Sequence, residues 1–375
     1  MADNKDKKVL NVPALRFPEF TEEWESVLLE DVAEFQKKRI SSDLLNNSNY
    51  ISTENILQNF GGVQNSISIP ANTNVIEYQR GDVLLSNIRP YLKKVWLSDR
   101  HGGCSADVFV LRGNQCERRF LYYVIASDRF INFVMSGAKG VKMPRGDKSQ
   151  MEKFTFFIPT NVEQKKIAMF LSMLDERIRL QNKIIEDLKK LKSAIYQEIF
   201  GSLVAQTLEL GQVAEIIKGK QVNGTELLEQ GEYYVMNGGT TPSGWLNRYN
   251  TEANTISISE GGNSCGYVQY NTSRYWSGGH CYSLRILHPQ ETLDLYLYHF
   301  LKWQEDNIMA LRIGSGLPNI QKKDLLRFPV ILPVINKQKS IISILSVIDA
   351  KMACDILLTE HYVIQKKYLL RKLFI

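Results

Sequence analysis

Five side chains able to meet a base edge or a phosphate fall in one nine-residue stretch, SNIRPYLKK at 86–94: Asn87, Arg89, Tyr91, Lys93 and Lys94. Arginine can bond guanine bidentately and asparagine can do the same with adenine, whereas lysine mainly holds phosphate. The glycine-rich stretch GAKGVKMPRGDKS adds Lys139, Lys142, Arg145 and Lys148, a composition suited to a phosphate clamp. Further along the chain two stretches occupy equivalent places. SEGGNSCGY supplies Asn263, Ser264 and Tyr267, and ALRIGSGLPNIQKK supplies Arg312, Asn319, Lys322 and Lys323. A third, NGGTTPSGWLNRYN, adds Asn237, Trp245 and Arg248.

Catalytic patterns are missing by comparison. IIKGKQ lacks the first glycine and the hydroxyl of a nucleotide-binding P-loop. With no Asn-Pro-Pro-aromatic run and no G-x-G loop, methyl transfer from S-adenosylmethionine by this chain is unsupported. SEGGNSCGY follows a strand-like run without a helix pattern behind it, which marks a turn. His101, His280, His288, His299 and His361 are isolated, so no metal site is expected. The pair Asp175-Glu176 is expected on a solvated helix face. These observations point to a binding protein, not an enzyme.

Composition narrows the setting. Five scattered cysteines without a C-x-x-C pair fit a reducing cytoplasm. No apolar run is long enough for a membrane span, and the polar start MADNKDKKVLNVP is not expected to be a secretory signal. The net charge of +6 resides in two segments, +2 in 161–200 and +4 in 336–375. The remainder is neutral, so a basic surface there must be local.

The elements that hold these loops occur twice. IPTNVEQKKIAMFLSMLDERI begins at Ile158 and LPVINKQKSIISILSVIDAKM at Leu332, 174 residues later. That interval is the length of a domain, far beyond a solenoid repeat. LLEDVAEFQKK matches ELGQVAEIIKG, and DVLLSNIRPYLKKV lies over TISISEGGNSCGYV, pairing Leu85 with Ile258 and Val95 with Val268. Pro144/Pro318, Lys148/Lys322, Phe154/Phe328 and Pro159/Pro333 are further matches. Short β-branched runs bounded by Gly, Asn, Pro and Ser (81–88, 104–113, 154–159, 255–260, 327–333) predict strands. Helices are predicted within 121–135 and 293–307.

Each copy then ends in a long helix. Asn161 with Gln164, and Asn336 with Gln338, suggest helix caps. Ile167, Leu171, Leu174, Ile178, Ile185 and Leu188 form an apolar seam interrupted by Gln181 and Lys192. Ile341, Leu345, Ile348 and Met352 continue it in the second copy. A helix of about 40 residues is roughly 60 Å long and needs a partner along its stripe. Connectivity makes that partner the other copy's helix, running antiparallel. The expected fold class is α+β: two β-rich globular domains separated by two long helices packed as an antiparallel coiled coil, with pseudo-twofold duplication. Two binding heads on a rigid spacer suit a target marked twice at a set separation, as duplex DNA is.

VPALRFPEFTEEW, the paired domain starts LEDVAEFQKK and LGQVAEIIKG, and the two helix entries together resemble the specificity subunit of type I restriction–modification systems, over nearly the full chain. The resemblance implies recognition domains at 21–160 and 201–335, spacer helices at 161–200 and 336–375, and an N-terminal segment at 1–20. It implies double-stranded DNA as the ligand, with each domain binding half of a gapped target. It further implies two methyltransferase and two motor-nuclease (restriction) subunits as partners. S-adenosylmethionine, ATP and Mg would be used by those partners, with no cofactor on this chain. Two other readings fit the layout: the specificity module of a stand-alone methyltransferase, and a two-headed scaffold for proteins.

Overall fold

The computed structural model describes residues 11–140, 142–314 and 316–374. Residues 1–10 of the expected N-terminal segment lie outside the described residues. Two compact units make up the chain, Met1–Gln181 with Leu358–Ile375, and Asn182–Leu357. The division falls inside both long helices, so each unit holds one β-rich domain and a portion of each helix.

In the first unit an antiparallel sheet runs in the order Ala33–Phe35, Val108–Gly113, Val83–Ser86, Val95–Leu97. Val83–Ser86 is buried at all four positions, which suits its apolar residues to a strand covered on both faces. A second sheet joins Arg39–Ser41, Asn74–Tyr78, Gly102–Cys104 and Tyr50–Ile51. The single run expected over 104–113 is thus two strands in different sheets, because Ser105–Asp107 turns the chain: Val108 N–H donates to Ser105 O at 3.0 Å. Gly102 permits the close passage there, since a Cβ would lie 2.1 Å from Asn49 O. Glu25–Leu28 pairs with Thr155–Ile158 and ties the start of the domain to its end.

The helix expected over 121–135 is also two, Arg118–Ile125 and Asp128–Ser136. Ser127 ends one and starts the other: its Oγ donates to Val124 O and accepts from Phe130 N–H. Trp24, Phe120, Phe130, Phe154 and Phe156 fill the core beneath them.

The second unit repeats the first sheet as Ala214–Lys218, Cys281–Ile286, Thr255–Ser259, Val268–Asn271, in the same order and sense. Register is kept: Leu85 faces Val95 in one domain and Ile258 faces Val268 in the other. Gln206–Glu209 pairs with Pro329–Leu332 as the closing ribbon. The smaller sheet has diverged to three strands, Trp245–Leu246, Tyr233–Met236 and Trp276–Ser277.

The long helices span Asn161–Gly201 and Ile335–Leu373. Within the first unit they run antiparallel: Asp175 pairs with Lys366, and two residues on Arg177 Nε donates to Tyr362 Oη, 2.6 Å away. In the second unit Lys192 pairs with Asp349. Asp175 and Asp349, like Lys192 and Lys366, are 174 residues apart, so the two bridges are one bridge with the helices exchanged. Asp175 is therefore half-buried rather than on a solvated face, and it also accepts from Tyr123 Oη at 2.8 Å. Lys192, an interruption by sequence, is satisfied by Asp349 and lies 5.3 Å from the centre of the Tyr196 ring.

Ile167, Leu171, Ile185, Ile341 and Leu345 are buried, and Leu174, Ile178, Leu188, Ile348 and Met352 half-buried. Ile167 and Leu171 share one core with Leu369 and Leu373 and with Phe120 and Phe156 of the domain. Each stripe is thus covered by the domain as well as by the other helix.

The caps differ from expectation. Asn161 is the first helical residue, and Thr160 O accepts from Gln164 N–H at 2.9 Å. Gln164 and Gln338 are buried tethers. Gln164 Nε2 donates to Pro159 O and its Oε1 accepts from Glu117 N–H, both at 2.8 Å. Gln338 repeats this, donating to Pro333 O and Glu291 O and accepting from Leu293 N–H. A buried amide must find partners, and here they are domain backbone, which sets each helix's exit from its domain.

Candidate nucleic-acid interface

In the first unit the stretch after strand Val83–Ser86 forms a 3₁₀ turn, Pro90–Leu92, flanked by Arg89 and Lys93, both left-handed at φ 51° and 54°. A non-glycine residue held there costs about 1–2 kcal/mol, so tertiary contacts must impose it. Those contacts are visible. Arg89 N–H donates to Pro144 O at 2.8 Å, and Gly146 N–H to Asn87 O at 3.1 Å. The Asn87–Lys94 loop and the glycine-rich loop are therefore stitched into one surface. In the second unit Gly262 N–H donates to Pro318 O at 2.9 Å, and Ile320 N–H to Glu260 O at 2.8 Å. The same two loops are joined in both domains by bonds at equivalent places.

The candidate cations fall into two groups. Lys93 pairs with Asp128 at 2.5 Å, Lys139 with Asp147 at 2.9 Å, Arg145 with Asp107 at 2.9 Å and Lys148 with Glu152 at 3.5 Å. Lys94 Nζ donates to Thr53 O, and Arg248 pairs with Glu226 while lying over Trp276. The Lys139 ammonium holds the Asp147 carboxyl below its ordinary pKa, helped by the Gln150 backbone N–H. Arg89, Lys142, Arg312, Lys322 and Lys323 are exposed and make no ion pair among the described residues.

Among the neutral candidates, Tyr91 is exposed and Asn263 lies on the outside of its loop. Asn319 is exposed and holds its loop by backbone bonds to Ile313. Ser264 O accepts from Tyr267 N–H, and Tyr267 is half-buried beneath Lys302. Asn87 turns inward, with Oδ1 buried and unpartnered. Asn237 Oδ1 accepts from His280 N–H, and Trp245 sits in the small sheet. Asn237 adjoins the stitched loops, because His280 O accepts from Glu260 N–H at 2.9 Å and Gly238 O from Ser259 Oγ at 2.6 Å, whereas Trp245 pairs with Tyr234 apart from them.

Sequence reasoning missed Glu260. It lies beside the loop of the second domain and accepts from Lys218 Nζ at 2.7 Å and Tyr282 Oη at 3.0 Å, while its backbone binds Ile320 and Cys265. Nothing local in SEGGNSCGY announces this, because the side-chain partners Lys218 and Tyr282 lie 42 and 22 residues away. Among the described residues no three His, Cys, Asp or Glu side chains are grouped to hold a metal, and no helix is long and apolar enough to cross a membrane.

A duplicated β-rich domain, paired loops with free cations and an antiparallel helix pair define a two-domain binding protein. A family model described as the type I restriction modification DNA specificity domain matches residues 21–190 and 205–356. The chain belongs to that family. It is 38% identical over 144 residues to a Mycoplasma pneumoniae protein named as a type I specificity subunit, covering 38% of each chain. A similarly named Mycoplasma genitalium protein is 35% identical over 140 residues, 37% of this chain and 36% of that one. The matched part thus spans under two-fifths of the length of either relative. The crystal structure of a type I restriction–modification S subunit from M. genitalium has the same fold, with a TM-score of 0.69 at 20% identity, covering 97% of this chain and 99% of that one.

Proposed function

We propose that this chain is the DNA-reading specificity subunit of a type I restriction–modification complex. Residues 21–160 and 201–335 each read one half of a gapped target, and the helices at 161–200 and 336–375 set the gap and dock methyltransferase subunits. The observation that carries this reading is the stitched pair of loops, built alike in both domains and bearing Arg89 and Lys142 in one, and Arg312, Lys322 and Lys323 in the other. One backbone plan with different side chains suits two half-sites of different sequence.

A protein partner on the helices is supported by a second apolar stripe, away from the seam. Met169, Met173, Leu180, Ile184 and Leu191 recur at intervals of four and seven and are 43–57% exposed. Such a face is suited to a partner helix. Two methyltransferase and two restriction subunits complete the proposed assembly, and S-adenosylmethionine, ATP and Mg serve those subunits. The test is to map methylated bases in DNA from cells with and without this chain. One gapped, two-part motif should vanish with the chain. Loss of a short ungapped motif, or no loss at all, would refute the reading.

A further inference from the structure

The two glycine-rich loops share more than cations. Lys139 and Arg145 exchange backbone hydrogen bonds of 3.0 and 2.9 Å, and Ile313 and Asn319 do so at 2.8 and 3.0 Å. Each bracket encloses a left-handed glycine, Gly140 at φ 96° or Gly314 at φ 102°. A Cβ on Gly140 would approach Met143 O to 3.2 Å, so glycine lets the chain fold back tightly behind the tip. Each then presents a bulky apolar residue, Met143 or Leu317, directly before Pro144 or Pro318. The proline carbonyls are the atoms that receive Arg89 N–H and Gly262 N–H. Within the glycine-rich loops each equivalent residue is 174 positions from its counterpart, and Arg89 and Gly262 are 173 apart.

Neither side chain is taken into a hydrophobic core among the described residues. Met143 is 48% and Leu317 86% exposed, and neither belongs to a core cluster. One exposed leucine would be unremarkable on any surface. A bulky apolar tip at the same place in both domains, whose interiors otherwise diverge, calls for a common ligand. Lys139, Lys142 and Arg145 flank one tip, and Arg312, Lys322 and Lys323 follow or precede the other. An apolar tip among cations fits a polyanion with apolar surface between its charges. Duplex DNA has that character, with stacked bases between rails of phosphate. Leu and Met are among the residues that proteins insert between base steps.

We propose that Met143 and Leu317 are wedges, each entering the duplex and partly unstacking one base step in its own half-site. The proline tether fixes the wedge beside the base-reading loop, and the flanking cations hold the phosphates on either side. This rests on the DNA-reading function proposed above.

The test uses the full chain with its methyltransferase subunits and duplexes of the mapped target carrying 2-aminopurine at successive positions. Binding should raise fluorescence at one step in each half-site. Leu317→Ser should abolish the rise in one half only and weaken binding by about tenfold, comparable to one mismatched base pair. Met143→Ser should do the same in the other half, and Leu317→Met should preserve both signals. The salt dependence should be unchanged in all three, because no phosphate contact is lost. Specific binding by the parent chain with no fluorescence rise, and affinity kept within about twofold by Leu317→Ser, would overturn the wedge while leaving DNA reading intact. Failure of the parent complex to prefer its target over unrelated duplex would remove both. Anionic phosphatidylserine vesicles are the control ligand. Binding to them that Leu317→Ser abolishes, with duplex binding unaffected, would likewise overturn the wedge.

Discussion

At the scale of single residues, the free cations and the paired ones should behave differently. Lys139 and Arg145 begin in ion pairs with Asp147 and Asp107, so contact with phosphate requires an exchange of partners, whereas Lys142 has no ion pair to leave among the described residues. Replacing all three with alanine should weaken binding to every sequence and lower the salt slope by ~0.9 per lost phosphate contact. Lys142→Ala should account for most of the loss. A slope that stays put in titrations from low to physiological salt would remove this loop from the interface. Arg89→Ala should instead relax preference at one base position, read by binding to a panel of substituted duplexes.

His299 offers a pH-dependent prediction. It is 1% exposed, with Nδ1 3.0 Å from Tyr196 Oη and with Lys192 and Asp349 nearby. Burial, reinforced by the Lys192 charge and opposed by Asp349, lowers its pKa to about 4. An unfolded histidine titrates near ~6.5. Between these values the unfolded chain holds the extra proton, so this group's effect is a stability that falls as pH drops from about 6.5 to about 4. The loss is on the order of 3 kcal/mol. His299→Phe should be less stable than the parent at pH 7.5 and should recover relative to it by pH 4.5. Parallel pH profiles in thermal unfolding would contradict this.

At the scale of elements, the helices are tied down at several points. Gln164 and Gln338 bind each helix start to its domain, and the exchanged bridges Asp175–Lys366 and Lys192–Asp349 set the stagger. Inserting one heptad into both helices between the bridges keeps the seam in phase and adds about 10 Å. Both half-sites should persist, while the unspecified gap grows by roughly three base pairs at ~3.4 Å each. Methylation mapping reads this directly, and an unaltered gap would mean that helix length does not determine it.

At the scale of the whole molecule, the internal repeat makes a half-protein self-complementary. In a fragment ending at Gly201, Asp175 of one copy can meet Lys192 of a second, because Lys192 stands where Lys366 does and Asp175 where Asp349 does. Ile178, Ile185 and Leu188, and the parts of Ile167, Leu171 and Leu174 that the second helix covers, would otherwise be exposed to water, at about 25 cal/mol per Å² of apolar area. Such fragments should form antiparallel dimers in sedimentation experiments. With two copies of the first domain, their target should become an inverted repeat of one half-site. Methylation of the original asymmetric motif by the fragment would defeat the twofold account.

The duplication, the equivalence of Leu85 with Ile258 and of Val95 with Val268, and the antiparallel helix pair were legible in the linear chain. Each is a periodic signal, and a period survives divergence of the side chains between its anchors. The equivalence of the two loop pairs was legible for the same reason. Tertiary structure alone decided which cations remain free, because the carboxylates that hold Lys93, Arg145 and Arg248 lie 22 to 38 residues away and no local pattern links them. It also decided that Asn87 turns inward, that Gln164 and Gln338 tether helix to domain, and that one expected strand and one expected helix each become two. The glutamine tethers and the divided strand and helix follow from satisfying polar groups with whatever partner the fold or the local chain brings near, whereas the buried Asn87 Oδ1 finds none; proximity of that kind is a property of the folded chain.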